Sequence, residues 1–254
     1  MNKYILTFAI ALFSYVATSQ TIITDRPDQT ESSSTVERGA LQIESGILYG
    51  TAKDDFFSEE VLLAPTVLWR YGIINGIELR LLTEFASVKD KLTSDKSSGI
   101  TDLQVGTKIQ ILQKEDVKTE IAFLSHIIIP TAKTELTLNE IGTINKLSIA
   151  HDISDRFGLG YNLGYDYFGY GSGNLTYSLA LGLGISDKVG LYIEPYGALV
   201  DFDNHESSFD AGFTYLVQDN LQLDISAGTG LNYNMNYVSI GCSIIIAKEK
   251  NQRK

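Results

Sequence analysis

The chain has 254 residues, of which 44% are hydrophobic and 20% charged, so its composition is that of a folded protein and not of a disordered polymer. Its formal net charge of −11 argues against nucleic acid as a partner, because phosphate binding needs a basic face. The single cysteine, Cys242, excludes an internal disulfide, and no spacing of Cys and His predicts a zinc site. We expect no metal and no cofactor.

Residues 1–19 have the pattern of a cleavable signal peptide. Lys3 supplies a positive charge, and residues 4–16 form an apolar run that is followed by small residues. We expect cleavage after Ser19, which leaves residues 20–39 as a periplasmic N-terminal segment. A membrane anchor is the alternative, but the apolar run is short for a span. No later stretch is long and apolar enough for a membrane helix, so a membrane-embedded chain would have to be a closed barrel.

Residues 40–247 alternate with a period of two between large apolar residues and small or polar ones. A helix would instead repeat its apolar residues at intervals of three and four. We predict strands near residues 40–50, 60–71, 76–87, 99–113, 118–130, 143–153, 157–170, 174–186, 189–200, 207–217, 221–229 and 235–247. Most are long enough for tilted strands that cross a membrane. Residues 248–254 form a polar C-terminal tail.

The predicted connections alternate in length along the chain. Five short ones contain turn-forming residues and lie around residues 74–76, 114–116, 154–156, 186–188 and 218–220. The others are mostly longer, such as residues 87–98 and 131–142. Outer-membrane barrels have short periplasmic turns and longer extracellular loops. The sequence therefore predicts an all-β fold, a closed antiparallel transmembrane barrel of about 12 strands in a Gram-negative outer membrane. Its expected partners are outer-membrane lipid, the barrel assembly machinery and a small-molecule solute.

A soluble all-β protein is the alternative, but its second face would be washed by solvent, whereas here that face is mostly Gly, Ala, Ser and Thr with scattered charges. If the large apolar residues face lipid, the lumen wall receives Glu44, Arg70, Glu78, Arg80, Glu84, Asp102, Lys108, Glu120, His126, Asp166, Glu194, Asp210 and Asp224. Charges in a narrow lumen must be paired or hydrated. They form either a structural lattice of ion pairs or the wall of a conduit that selects solutes by its acidic excess.

Three histidines are the candidates for catalysis: His126, His151 and His205. His126 follows Ser125, but neighbouring residues of a strand point to opposite faces and cannot pair directly. No local spacing of Ser, His and an acid is present, so we expect no catalytic residue. Besides a transporter, the sequence leaves open an outer-membrane enzyme that modifies lipid and a structural barrel whose loops bind partners.

The residues after the signal peptide resemble the start of a known family. The matching residues are Thr24, Asp25, Arg26, Pro27, Thr30, Glu31, Val36, Gly39, Gln42, Glu44 and Gly46. This pattern is similar to that of bacterial outer-membrane barrels described as transporters, or as MetA-pathway of phenol degradation proteins. Glu37 stands where that pattern commonly has Pro. The resemblance implies a barrel that admits small organic compounds, including hydrophobic or aromatic ones.

The polar stretch 24–31 has two interpretations. It is a disordered periplasmic tail, or it folds into the periplasmic mouth and narrows the lumen as a gate. Pro27 favours an extended conformation of Arg26, whose planar guanidinium would then reach a wall carboxylate such as Glu44 or Glu78. The candidate lumen and gate residues are Asp25, Arg26, Glu44, Arg70, Glu78, Arg80, Glu84, Lys108, Glu120, His126 and Glu194.

Overall fold

The computed structural model describes residues 21–54, 56–114 and 117–247. The predicted signal peptide, the C-terminal tail and the turn residues 115–116 lie outside the described residues. The strands are β1 (Leu41–Lys53), β2 (Ser58–Ile74), β3 (Ile77–Asp90), β4 (Lys96–Ile100), β5 (Leu103–Lys114), β6 (Val117–Ile129), β7 (Gly142–Asp152), β8 (Phe157–Tyr167), β9 (Asn174–Gly184), β10 (Val189–Val200), β11 (Asn204–Gln218), β12 (Leu221–Gly230) and β13 (Asn234–Ile246). The described part of the chain contains no helix long and apolar enough to span a membrane.

The strands form one closed ring. Every pairing is antiparallel, β1 pairs with both β2 and β13, and β2 pairs with β3. The short β4 pairs with the outer half of β3, and β5 pairs with its inner half. Because β4 and β5 together fill one position in the wall, the thirteen strands make a barrel of twelve. The predicted fold, a closed antiparallel barrel of about twelve strands, is confirmed.

The prediction of one continuous strand over residues 99–113 is wrong. The chain leaves the hydrogen-bonded ladder around Asp102, between β4 and β5. The Asp102 carboxylate accepts hydrogen bonds of 2.9 Å from the backbone N–H groups of Thr131 and Ala132, and one of 2.7 Å from the Thr137 hydroxyl. An aspartate that binds loop backbone in this way competes with the strand ladder. Asp102, predicted to face the lumen, therefore holds an outer loop.

The two faces of the wall are inverted relative to a water-soluble protein. On the outer face, Ile127, Leu163 and Ile225 are 50%, 58% and 53% exposed. On the inner face, Glu78 and Asp210 are both 0% exposed. Soluble proteins bury large apolar side chains and expose charges, so the outer face of this barrel is suited to lipid and not to water.

At one end of the barrel every connection in the described residues is short, whereas at the other end the connections range from residues 201–203 to the long loop 130–141. Short turns join β2 to β3, β7 to β8, β9 to β10 and β11 to β12. The chain termini lie at the same end, where Leu41 of β1 pairs with Ile246 of β13. This end is the periplasmic one, and the longer loops are extracellular.

Candidate functional site

Residues 21–40, here called the N-terminal segment, contact the inner face of the wall. Both ends of the segment are fastened at the periplasmic mouth, where Ile22, Val36 and Ala40 pack with Ile245 of β13. Gly39 has a positive φ of 81°, which lets the chain turn sharply into β1. The segment therefore enters the lumen from the periplasmic mouth and returns to it.

Inside the lumen, the Asp25 carboxylate meets three wall cations. Its oxygens lie 2.8 Å from Lys108 Nζ, 2.5 Å from Arg80 Nη1 and 3.3 Å from Arg70 Nη1. Burial alone would raise the pKa of Asp25, but Arg70, Lys108 and Arg80 hold it well below its usual range. Asp25 is therefore an anionic anchor that joins β2, β3 and β5.

The same three cations also bind carboxylates of the wall and of the segment. Arg70 is 2.9 Å from Glu44 and 2.8 Å from Glu78, and Arg80 is 2.7 Å from Glu31. The residues of this ionic cluster are Asp25, Glu31, Glu44, Arg70, Glu78, Arg80 and Lys108. In such a buried lattice, removal of one partner strands the charge of the other.

The Arg26 side chain points away from the ionic cluster. Its Nη2 atom lies 3.0 Å from Asp224 of β12 and 2.9 Å from the Ser239 hydroxyl of β13. The guanidinium thus binds a wall carboxylate, but that carboxylate is Asp224 and not Glu44 or Glu78, the two examples that the sequence suggested. Only the backbone N–H of Arg26 contacts Glu44, at 3.1 Å. Asp25 lies at a bend of the segment, and its carboxylate takes the cationic side of the lumen while the Arg26 side chain takes the other.

Two glycines of neighbouring strands make room for the Arg26 guanidinium. A Cβ atom at Gly46 of β1 would lie 2.5 Å from its Cζ atom, and one at Gly241 of β13 would lie 2.4 Å from its Nε atom. Both distances are shorter than van der Waals contact. The guanidinium can therefore lie flat against the wall only because both positions lack a side chain.

Farther along the segment, three carboxylates come together without a cation. The backbone N–H of Gln29 donates a 2.7 Å hydrogen bond to Glu194 of β10, and the Thr30 hydroxyl donates to the other oxygen of the same carboxylate. Asp210 of β11 is the direct cross-strand partner of Glu194. Burial, followed by the charges of Glu194 and Asp210, raises the pKa of Asp28 well above its usual range. We call Asp28, Glu194 and Asp210 the acidic cluster.

Three further residues that were predicted to face the lumen lie at the edge of the ionic cluster or outside it. His126 Nε2 accepts a 2.9 Å hydrogen bond from Arg80 Nε, and so extends the ionic cluster onto β6. Glu120 accepts hydrogen bonds from the hydroxyls of Ser33 and Ser34 at 2.9 and 3.2 Å. Glu84 lies farther out on β3, opposite Thr66, and none of the hydrogen bonds of the N-terminal segment reaches it.

The N-terminal segment divides the interior into separate cavities. An outer vestibule of about 230 Å³ is lined by Gln29, Asp166 and Tyr196, among others. An inner vestibule of about 390 Å³, open toward the periplasmic turns, is lined by Asp28 and Tyr192, among others. Because Asp28 and Gln29 are consecutive residues, the two vestibules meet at the acidic cluster, with the N-terminal segment between them.

Residues 24–241 match the family described as "Putative MetA-pathway of phenol degradation". The chain belongs to this family. The match begins in the N-terminal segment and runs through the wall into β13, so the family is defined by the segment and the barrel together. No curated protein matches the chain.

Solved structures of outer-membrane barrels share the fold of this family member. The COG4313 outer membrane channel from Pseudomonas putida F1 is 12% identical, with 87% of this chain and 100% of that one covered and a TM-score of 0.72. The KdgM porin in complex with disordered oligogalacturonate is 9% identical, with 78% of this chain and 98% of that one covered and a TM-score of 0.51. At these identities the likeness is one of fold, and it agrees with an outer-membrane location.

The histidines of this MetA-pathway family member have no serine partner in the described residues. The Ser125 hydroxyl donates instead to Asn145 at 2.8 Å. His151 lies 2.9 Å from the Thr119 hydroxyl, and His205 lies 2.9 Å from the Tyr177 hydroxyl. Within the same described ranges, no group of three His, Cys, Asp or Glu side chains is arranged to hold a metal ion.

Proposed function

We propose that this member of the MetA-pathway family is an outer-membrane channel for small organic molecules, and that its N-terminal segment closes the lumen. The observation that carries the proposal is the division of the interior into two vestibules by residues of that segment. A purely structural barrel would need no vestibules that approach each other from both sides of the membrane. The fold shared with a channel and a porin supports the same function.

The two vestibules lie on the same side of the lumen, along β8 to β11. The outer one reaches residues of β8, β9, β10 and β11, and the inner one reaches β8, β9, β10 and β11 near their turns. A shift of residues 26–30 away from Glu194 would join them without breaking any pairing of the wall. The ionic cluster lies on the opposite side, on β1, β2, β3 and β5, where it holds the segment during such a shift.

The family description supports the class of solute. It refers to phenol degradation, and phenols combine an apolar ring with a hydroxyl that the polar wall could hydrogen-bond. The outer vestibule offers aromatic faces at Tyr196 and Tyr233 beside hydroxyl and amide groups. We therefore propose small aromatic or other weakly polar organic compounds as the cargo.

The proposal is tested by removing the closure. The mature protein and a variant that lacks residues 21–35 would be compared in planar bilayers and in liposomes that take up phenol. The variant should show a larger conductance and faster uptake, while heat-modifiable migration on gels confirms that its barrel is folded. Equal conductance and uptake in two folded proteins would contradict the proposal.

A further inference from the structure

The acidic cluster differs from the rest of the lumen because its charges have no counter-charge. Glu194 and Asp210 lie directly opposite each other on neighbouring strands, an arrangement that is destabilising for like charges. Among the described residues, no Lys, Arg or His forms an ion pair with Asp28, Glu194 or Asp210. The wall therefore concentrates negative charge at the point where the two vestibules meet.

Hydrogen bonds from other residues reach three of the four carboxylate oxygens of Glu194 and Asp210. Both oxygens of Glu194 accept hydrogen bonds from the N-terminal segment, and Asp210 Oδ2 accepts one of 2.5 Å from the Tyr237 hydroxyl. Asp210 Oδ1 is fully buried and has no hydrogen-bond partner in the described part of the chain. The Glu194 and Asp210 carboxyl groups also lie within hydrogen-bond distance of each other. Two carboxylates both accept hydrogen bonds, so this buried contact requires either a shared proton or a bound cation between them.

Two further buried hydroxyls beside Asp210 lack partners in the described ranges, those of Tyr192 and Ser226. Their strand positions are adjacent: Gly212, two residues after Asp210 on the same face of β11, pairs with Tyr192 on one side and with Ser226 on the other. The Tyr192 ring lies over Gly212, where a Cβ atom would be 2.5 Å from its Cε1 atom. Three unused polar oxygens from β10, β11 and β12 thus line one patch of the wall.

The chemistry of the patch selects the kind of ligand. Carboxylate and hydroxyl oxygens beside uncompensated carboxylates attract a cation and repel an anion. The His, Cys, Asp and Glu residues of the described chain include no group arranged for a metal ion, which argues against a divalent metal with several carboxylate ligands. A small monovalent cation needs fewer charges, and the aromatic ring of Tyr192 adds a favourable face for an ammonium group.

We propose that the acidic cluster, together with Tyr192 and Ser226, is a binding site for a small monovalent cation, either an alkali ion or an ammonium group. The site itself follows from the wall, and its role in selecting permeant ions rests on the proposed channel function. Rings of acidic side chains have this role in cation channels. The site lies between the two vestibules, so a cation that passes from one to the other meets it.

The charges along the vestibules agree with such selectivity. The outer vestibule contains Lys146 with two acids, Asp166 and Glu206. The inner vestibule contains Arg26 and Arg156 with three acids, Asp28, Asp152 and Asp155. The outer vestibule therefore has one more acidic than basic residue, whereas the inner one has equal numbers once Asp28, a member of the acidic cluster, is set aside.

A crystallographic experiment tests the site without requiring any current. Crystals of the mature protein soaked in thallium(I) acetate should show an anomalous peak within coordination distance of Asp210 Oδ1. An excess of potassium or of methylammonium in the soak should displace it. The Glu194→Gln/Asp210→Asn double variant should lose the peak. Its matched control, Asp166→Asn/Glu206→Gln, removes the same two charge types from the outer vestibule and should keep it.

No peak in the wild-type crystals, a peak that persists in the Glu194→Gln/Asp210→Asn variant, or a peak that neither competing cation displaces would overturn the site. Heat-modifiable migration shows that each variant has a folded barrel.

Reversal potentials in asymmetric KCl test the role of the site in permeation. The wild-type protein should prefer K⁺ over Cl⁻ by about tenfold, because an acidic constriction enriches cations by that order. The Glu194→Gln/Asp210→Asn variant should approach equal permeability, and the matched control should not. A channel that conducts without preference and binds no thallium refutes this inference and leaves the channel function intact. A thallium site in a barrel that passes neither ions nor solutes refutes the channel function alone.

Discussion

Two aspartates of the N-terminal segment, three positions apart, have pKa values shifted in opposite directions by the two sides of the lumen. Asp25 and Asp28 both lie against the inner wall, where burial raises the pKa of each carboxyl. The guanidinium groups and Lys108 around Asp25 reverse that effect, whereas Glu194 beside Asp28 adds to it. Burial therefore does not decide whether a charge fits this lumen; the charges of the facing strands do.

The comparison explains how the segment is held. On the side of β2, β3 and β5, Asp25 is fixed by direct ion pairs. On the side of β10 and β11, the segment is held by hydrogen bonds from Gln29 and Thr30 and opposed by repulsion between carboxylates. One side therefore anchors the segment and the other side is the easier one to release.

The largest effect is expected from Asp25→Ala, which removes the anchor. The variant leaves Arg70, Arg80 and Lys108 without their shared carboxylate, and the loss of one partner of a buried ion pair costs about 3–5 kcal/mol. The segment should leave the wall. The buried residue Ser33, replaced by Cys in a Cys242→Ser background, would then react much faster with a thiol reagent. Asp25→Asn, which keeps the size and some hydrogen bonds, should give a smaller increase, and equal rates in all three proteins would refute the anchor.

A smaller effect is expected from Arg26→Ala. This change breaks one ion pair, with Asp224, and one hydrogen bond, with Ser239, and the Arg26 side chain is already partly exposed. A loss of about 1.5–3 kcal/mol follows from the usual worth of hydrogen bonds to charged groups. Labelling at Ser33→Cys should rise less than in Asp25→Ala. Arg26→Lys should restore only part of the protection, because an ammonium cannot bind two partners with a planar fork. An Arg26→Ala effect as large as that of Asp25→Ala would mean that both sides anchor the segment equally.

The smallest effect, and one of opposite sign, is expected from Asp28→Asn. Because the docked segment has an Asp28 pKa well above the usual 3.8, protonation favours docking, and docking weakens as the pH rises through that raised pKa. For Asp25 the pH dependence has the opposite sign. Its lowered pKa stabilises the docked segment at every pH above the usual 3.8, and this stabilisation is lost as the pH falls below 3.8. Docking is therefore strongest near the usual aspartate pKa of 3.8 and weakens as the pH moves away from it in either direction.

In planar bilayers, the wild-type channel should open more often as the pH rises above the usual aspartate pKa of 3.8 and through the raised pKa of Asp28, and Asp28→Asn should flatten this dependence and reduce opening at the upper end. Asp166→Asn, which removes a carboxylate of the outer vestibule, is the matched control and should keep the wild-type pH profile. A profile in Asp28→Asn that matches the wild type would show that Asp28 does not oppose docking.

The wall of the barrel could be predicted from the sequence because its signals are local. Alternation with a period of two fixes which residues of a strand point inward, so Glu194 and Asp210 were both expected in the lumen. Turn-forming residues fix where most strands end. The break at Asp102 was not visible, because it depends on the backbone of an outer loop, residues 131–137, that no local pattern connects with it.

The contacts of the N-terminal segment could not be predicted in the same way. Arg26 and Asp224 are 198 positions apart in sequence, and their meeting depends on how deeply the segment enters the closed barrel. Glu194 and Asp210 become direct neighbours only through the register of β10 and β11. The polar composition around Pro27 marked the segment as unusual. Nothing in the sequence indicated that Asp28 meets other carboxylates. That contact follows from its neighbours Gln29 and Thr30, which bind Glu194 on a strand far away in sequence.

The opposite directions of Asp25 and Arg26 have a consequence for biogenesis. Asp25 binds side chains of β2, β3 and β5, which are made early, whereas Arg26 binds β12 and β13, which are made last. The seat of the Arg26 guanidinium between Gly46 and Gly241 exists only after β1 and β13 have joined. Two consecutive residues thus bind strands that are synthesised first and strands that are synthesised last, on the two sides of the contact that closes the barrel. Complete docking is therefore a property of a finished barrel, because the contacts of Arg26 require the closed pair of β1 and β13.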